Sequence, residues 1–149
     1  IRMDRTVPMV LRRTETAEPT TVKVSLNGQK TELQAYSIGD ENYVRVRDAA
    51  LLLSGCEWDY SVGWSEEHQQ VELSSRQQYA AIGTENKALT AGKRTVQSVI
   101  EPTIVDGQSH MIAAFNIDDY NYYRLRSLAS VCGFDVDWDE ATQSVNITA

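Results

Sequence analysis

Residues 24–47, VSLNGQKTELQAYSIGDENYVRVR, return without a gap at 103–126 as TIVDGQSHMIAAFNIDDYNYYRLR. Nine of the twenty-four positions are identical: Gly28/Gly107, Gln29/Gln108, Ala35/Ala114, Ile38/Ile117, Asp40/Asp119, Asn42/Asn121, Tyr43/Tyr122, Arg45/Arg124 and Arg47/Arg126. Others keep their character, among them Leu33/Ile112, Tyr36/Phe115 and Val46/Leu125. A fixed offset, here 79, marks one structural unit used twice. Beyond the arginines the offset becomes 74, which pairs Trp64 with Trp138, Val71 with Val145 and Leu73 with Ile147. The first copy therefore carries five extra residues within Ser54 to Gly63.

Each copy predicts the same succession of elements. Asn27-Gly28 and Asp106-Gly107 are the dipeptides that most readily supply positive φ at both centres of a type I′ turn, so each copy opens with a hairpin. NYVRVR and NYYRLR then alternate as short strands, with Tyr43, Arg45 and Arg47 on one face and Val44 and Val46 on the other. At Asp48 and Ser127, residues suited to an N-cap or first turn, the period changes to a helical one. Val46, Ala49, Ala50 and Leu53 form an apolar stripe, matched by Leu125, Leu128, Ala129 and Cys132, and the helices end near Gly55 and Gly133. GWSEEHQQVEL and DWDEATQSVNI read as closing hairpins with Trp64 and Trp138 in the core. The expected fold class is α+β: two tandem units, each a small antiparallel sheet curled around one short helix and packed against the other, since some 55 residues alone are marginal.

Charge follows the same division. Residues 21–75 and 103–149 each sum to −5, while 1–20 give +1 and 76–102 give +2. The predicted organisation is 1–20 as linker or added edge strand, 21–75 as first repeat, 76–102 as structured connector and 103–149 as second repeat. At 149 residues and 42% apolar content, the chain has the size and composition of a globular domain. Its net charge of −7 argues against nonspecific binding of nucleic acid or anionic membrane, and no apolar run approaches the roughly 18 residues of a membrane helix. The first residue is Ile, which reads as a processed product.

A strand Tyr-Val-x-Val-Arg entering a helix, then Gly, a spacer, Trp-Asp and a terminal Val-x-Ile resembles the copper amine oxidase N-terminal-like domain, or stalk domain, in two tandem copies over about residues 20–149. The first copy carries the likeness on Asn42, Tyr43, Val44, Arg47, Ala50, Gly55, Trp64 and Val71. The second does so on Asn121, Tyr122, Leu125, Arg126, Ala129, Gly133, Val136, Trp138, Asp139 and Val145, and is cleaner because the first has Ser65 where Asp would follow the tryptophan. The resemblance implies a noncatalytic module of secreted or wall-associated bacterial proteins, with an extracellular or cell-wall address and without copper or oxidase chemistry.

Read for chemistry directly, the chain offers His68, His110, Cys56 and Cys132 at no metal-motif spacing, so no metal and no cofactor is expected. Cys132 lies on the inward helix stripe, and one Cys56–Cys132 disulfide stays open. Asp135, Asp137 and Asp139 alternate along a strand, but Glu140 and Asn146 stand where a calcium loop needs glycine and glutamate, which favours a solvated acidic face. No nucleophile, base and orienting group can be named together, so the chain is not expected to be an enzyme. Arg47 and Arg126 read as structural, leaving Arg45 and Arg124 as candidates for a ligand anion. Trp58 and Tyr60, near the insertion, and Tyr120 and Tyr123, without aromatic counterparts at Glu41 and Val44, are candidate exposed rings. The leading expectation is a spacer or docking surface for a cell-envelope polymer or protein partner; the alternative is a carbohydrate-binding module for wall glycan using these aromatics.

Overall fold

The computed structural model describes residues 14–89, 91–118 and 120–149. The first copy supplies β1 (Thr14–Leu26), β2 (Gln29–Ile38), β3 (Glu41–Arg45), α1 (Val46–Leu52), β4 (Tyr60–Ser65) and β5 (Gln70–Ser75). The second supplies β6 (Arg94–Val105), β7 (Gln108–Ile117), β8 (Tyr120–Arg124), α2 (Leu125–Cys132), β9 (Asp135–Asp139) and β10 (Ser144–Thr148). β1 runs through the 20/21 boundary of the sequence division, and β6 begins inside the connector. At the first turn of each copy both residues take positive φ, 47° and 90° at Asn27-Gly28 and 52° and 86° at Asp106-Gly107, the geometry that matches strand twist in a two-residue hairpin. Asp48 falls in the first turn of α1, whose N-cap is Arg45; Arg124 takes the same place before α2. Only α2 ends on a left-handed glycine, Gly133, whose N–H bonds the Ala129 carbonyl at 2.8 Å.

The expectation of two tandem units, each a sheet around its own helix, is overturned. The strands form one ten-stranded mixed sheet among the described residues, in the order β4-β5-β6-β7-β8-β3-β2-β1-β10-β9, with an additional β6–β1 pairing. The physical reason lies in two exposed edges. β3 of the first copy and β8 of the second are five-residue strands that would each end a small sheet, and each satisfies its unpaired backbone groups on the other. Helices of seven and eight residues cover too little surface to close a unit separately.

The register makes the arrangement a pseudo-two-fold. Tyr43 pairs Arg124, Val44 pairs Tyr123 and Arg45 pairs Tyr122, so the central pair joins positions 79 apart and the flanking pairs exchange under the same operation. The far side of the sheet repeats this, with Glu15 on Val96, Thr16 on Thr95 and Ala17 on Arg94. β1, β2, β3, β8, β7 and β6 thereby close into an antiparallel ring. Outside it, the closing hairpins cross over: β5 pairs in parallel with β6 of the second copy, and β10 in parallel with β1 of the first. Each copy thus donates its last hairpin to the other.

Both faces of the sheet are buried. On one, Ala49, Ala50 and Leu53 in and just after α1, and Leu125, Leu128, Ala129 and Cys132 of α2, pack with Val24, Leu33, Val44, Tyr123 and Ile147. On the other lie Ala17/Val96, Tyr36/Phe115, Ile38/Ile117 and Tyr43/Tyr122, four pairs each related by the offset of 79. Their ring contacts are also duplicated: Tyr36 meets Tyr122 at 5.0 Å and 81°, and Phe115 meets Tyr43 at 5.0 Å and 80°. Such edge-on contacts contribute roughly 0.5–1.5 kcal/mol each beyond area burial.

Trp64 and Trp138 are not core residues as expected; they are 53% and 45% exposed. They stand in corresponding registers, opposite Val71 and Val145, on β4 and β9 at the two outer edges of the sheet. They share a strand face with the better buried Val62 and Val136, but lie one step nearer the hairpin tips, past the reach of helices this short.

Because each copy lacks the strand that flanks its hairpin, residues 21–75 and 103–149 produced separately are expected to show no cooperative thermal transition, whereas the whole chain melts in one step. Near-ultraviolet circular dichroism during melting checks this.

Candidate functional site

The β3–β8 junction holds the two candidate arginines. Arg45 Nε donates to the Asp48 carboxylate at 3.0 Å, and its guanidinium lies 4.9 Å from the centroid of the Tyr120 ring. Arg124 Nη2 donates to Glu41 at 2.8 Å. Glu41 and Tyr120 are equivalent positions, so the same cross-copy contact is made once with a π face and once with a carboxylate. The exchange follows from the helices: Asp48 neutralises Arg45, but its counterpart Ser127 has no charge, and Arg124 takes its carboxylate from Glu41. Arg45 Nη2 and Arg124 Nε are buried without a hydrogen-bond partner among the described residues.

Asp48 is buried, and burial raises its carboxyl above the usual carboxylate range, against the lowering pull of the Asn86 N–H at 2.7 Å and of Arg45. That N–H belongs to the connector, which is strapped across α1. Tyr79, itself buried, receives a hydrogen bond from Arg47 Nη1 at 3.3 Å and donates its hydroxyl to Glu85. Glu85 also accepts from the N–H groups of Ile82 and Gly83 at 2.7 and 2.9 Å, and Asn86 bonds the backbone of Gln34 and Glu32 on β2. The Tyr79 hydroxyl and these N–H groups hold the Glu85 carboxyl down at about 2.

The predicted aromatic set divides. Tyr60 is fully buried, with its hydroxyl 3.2 Å from the Val46 carbonyl, and Tyr123 is buried at the pseudo-axis beside Thr103. Neither offers a ring to a ligand, because Tyr60 begins the crossover hairpin and Tyr123 occupies the strand face covered by the helices. Trp58 is half-buried between the Arg76 guanidinium, 4.2 Å from its ring, and Gly133, where a Cβ would lie 2.9 Å from Cε3. The insertion thus anchors the first copy on the helix cap of the second. Tyr120 is exposed and meets Arg45, a contact that joins two of the candidate residues. Sequence reasoning missed Trp64 and Trp138 as surface rings; strand alternation places Trp138 on the face of Val136, opposite Asp135 and Asp137, and so pointed inward.

Trp138 lines a groove of about 620 Å³ bounded by β1, the β2–β3 turn, the start of α2 and β9. A smaller one, about 250 Å³, lies at the start of α1 between Arg45, Tyr120 and the connector. Cys56 and Cys132 are free thiols, and burial pushes Cys132 up to about 12, so it stays a protonated, unreactive hydrophobe at neutral pH. Among the described residues no group of three or more His, Cys, Asp or Glu gathers to hold a metal, and no helix is long and apolar enough to cross a membrane. The repeated Asp119 lies outside the described residues. No family model, curated protein or solved structure matches this chain.

Two outcomes follow from the strap and the cap. Glu85 has its carboxyl lowered from 4.5 to about 2, so its stabilising contribution is fully present above about pH 4.5 and is lost as pH falls toward 2. Glu85→Gln is expected to flatten the acid limb of the melting temperature over that interval, measured by differential scanning calorimetry. Gly133 sits at φ 96° against Trp58, so Gly133→Ala is expected to destabilise the fold by about 1–3 kcal/mol and to change the Trp58 fluorescence, read in urea titrations.

Proposed function

We propose that the chain is a noncatalytic extracellular module of a bacterial secreted or cell-surface protein, a rigid spacer that also presents a docking surface to envelope or protein partners. The observation that supports this reading is the exchange of closing hairpins between the copies. Two repeats joined by a linker would bend at it; two repeats that complete each other's sheet share one body, and the connector between them is tied down through Tyr79, Glu85 and Asn86. The charged groups candidate chemistry would draw on are committed to this body: Arg45 to Asp48, Arg124 to Glu41, Arg94 to Asp118. The resemblance to stalk domains supplies the extracellular and bacterial part of the proposal.

A second reading, wall-glycan binding, is favoured by the exposed rings of Trp64, Trp138 and Tyr120. Flat rings beside polar groups suit sugar faces. Both readings meet one experiment. The whole chain is incubated with purified bacterial cell walls and, separately, with surface-protein extract, and soluble reducing sugar, released peptide and retained protein are measured. A spacer and docking module releases nothing and is retained by the protein extract; retention on protein-free walls that Trp138→Ala abolishes favours the glycan reading. Release of sugar or peptide in proportion to added protein overturns the noncatalytic proposal.

A further inference from the structure

The two grooves are the same site seen twice. Glu41, Asn42, Leu125, Arg126 and Val145 line the larger one; Tyr120, Asn121, Val46, Arg47 and Val71, their equivalents under the offsets of 79 and 74, line the smaller. In the smaller groove the remaining wall comes from the chain's own connector, through Ile82, Thr84 and Glu85. That segment has no helix or strand between Gln78 and Leu89; it lies across the start of α1, held by Arg47 on the Tyr79 hydroxyl and by Asp48 on the Asn86 N–H. The larger groove has no such strap among the described residues, and its volume is about 620 Å³ against about 250 Å³. One copy of the fold element therefore displays the occupant for which the other is shaped: a length of polypeptide without regular structure.

The open groove differs in charge. Asp137 replaces Gly63 of the strapped copy, and neither Asp137 nor Asp40 has an ion-pair partner among the described residues. Arg126, the counterpart of the arginine that binds Tyr79, donates among the described residues to the nearby Val136 carbonyl, at 3.2 Å. Leu125 and Val145 supply an apolar floor, and Trp138 stands exposed at one wall. We propose that this groove binds an extended segment of a partner polypeptide that brings Lys or Arg to Asp137 and Asp40, an aliphatic side chain to the floor and a tyrosine to Arg126. The proposal deepens the docking reading above by naming the surface and the class of partner.

The test uses the whole chain and a dye-labelled synthetic peptide with the sequence of residues 76–89, prepared unchanged and with Glu85→Lys, followed by fluorescence anisotropy and by tryptophan emission. The Lys peptide is expected to bind saturably and about tenfold more tightly than the unchanged one, the advantage falling with added salt. Asp137→Asn, an exposed substitution that keeps the fold, is expected to remove that advantage, and Arg126→Ala to weaken both peptides. The emission change is expected to persist in Trp64→Phe and to vanish in Trp138→Phe. Absence of saturable binding, or binding indifferent to both Asp137→Asn and Arg126→Ala, overturns the proposal. So does peptide binding that appears only when residues 1–13 are deleted, which assigns the groove to the chain's own N-terminal segment, and so does a Trp138 response to soluble wall oligosaccharides with none to peptide. Loss of this proposal leaves the noncatalytic reading standing, since that rests on the release assay.

Discussion

Antiparallel pairing of β3 with β8 is the contact on which the rest depends. A strand of five residues at the edge of a small sheet leaves a row of N–H and C=O groups that must find partners or stay in water. Here the partner is the same strand from the other copy, and because the register centres on Val44 and Tyr123, one pairing fixes everything related to it. It aligns the aromatic contacts Tyr36–Tyr122 and Tyr43–Phe115, sets both helices against the same face, and directs each closing hairpin onto the opposite copy's first strand.

Duplication on this scale leaves identical scaffolds on which differences show clearly. Arg45 and Arg124 occupy corresponding places and reach across to corresponding partners, yet one meets Tyr120 and the other Glu41. Tyr60 and Phe134 begin equivalent hairpins and both are buried, but only Tyr60 needs, and finds, a carbonyl for its hydroxyl. The grooves at the helix starts follow the same logic, with a strap and a carboxylate for backbone N–H on one side, and open space with acidic walls on the other. In each case the backbone is shared and the side chains divide the labour.

Much of the local structure was legible in the residues. The positive-φ turns at Asn27-Gly28 and Asp106-Gly107, the short strands of NYVRVR and NYYRLR, and the apolar stripes of both helices follow from short-range rules, although the strands end at Arg45 and Arg124 and the last two residues of each stretch open the helix. What the sequence did not show is which strand lies beside which. Offset and periodicity describe one copy at a time, whereas the β5–β6 and β10–β1 pairings are parallel and join copies, so no turn signal announces them. The site was less legible for a related reason. Tyr60 and Tyr123 read as spare aromatics only while each copy is viewed alone; in the joined sheet both fall under helices. Trp64 and Trp138 suffered the reverse error, since their place near the core of a single unit becomes the outer margin of a shared one.

The crossed hairpins carry an arithmetic consequence. A third copy appended to this pair would arrive with a five-residue strand lacking its mirror and a terminal hairpin lacking a host, while a fourth would supply both. A longer polypeptide assembled from this element would close its strands only with an even number of copies, and gaining or losing a single repeat would leave raw sheet edges.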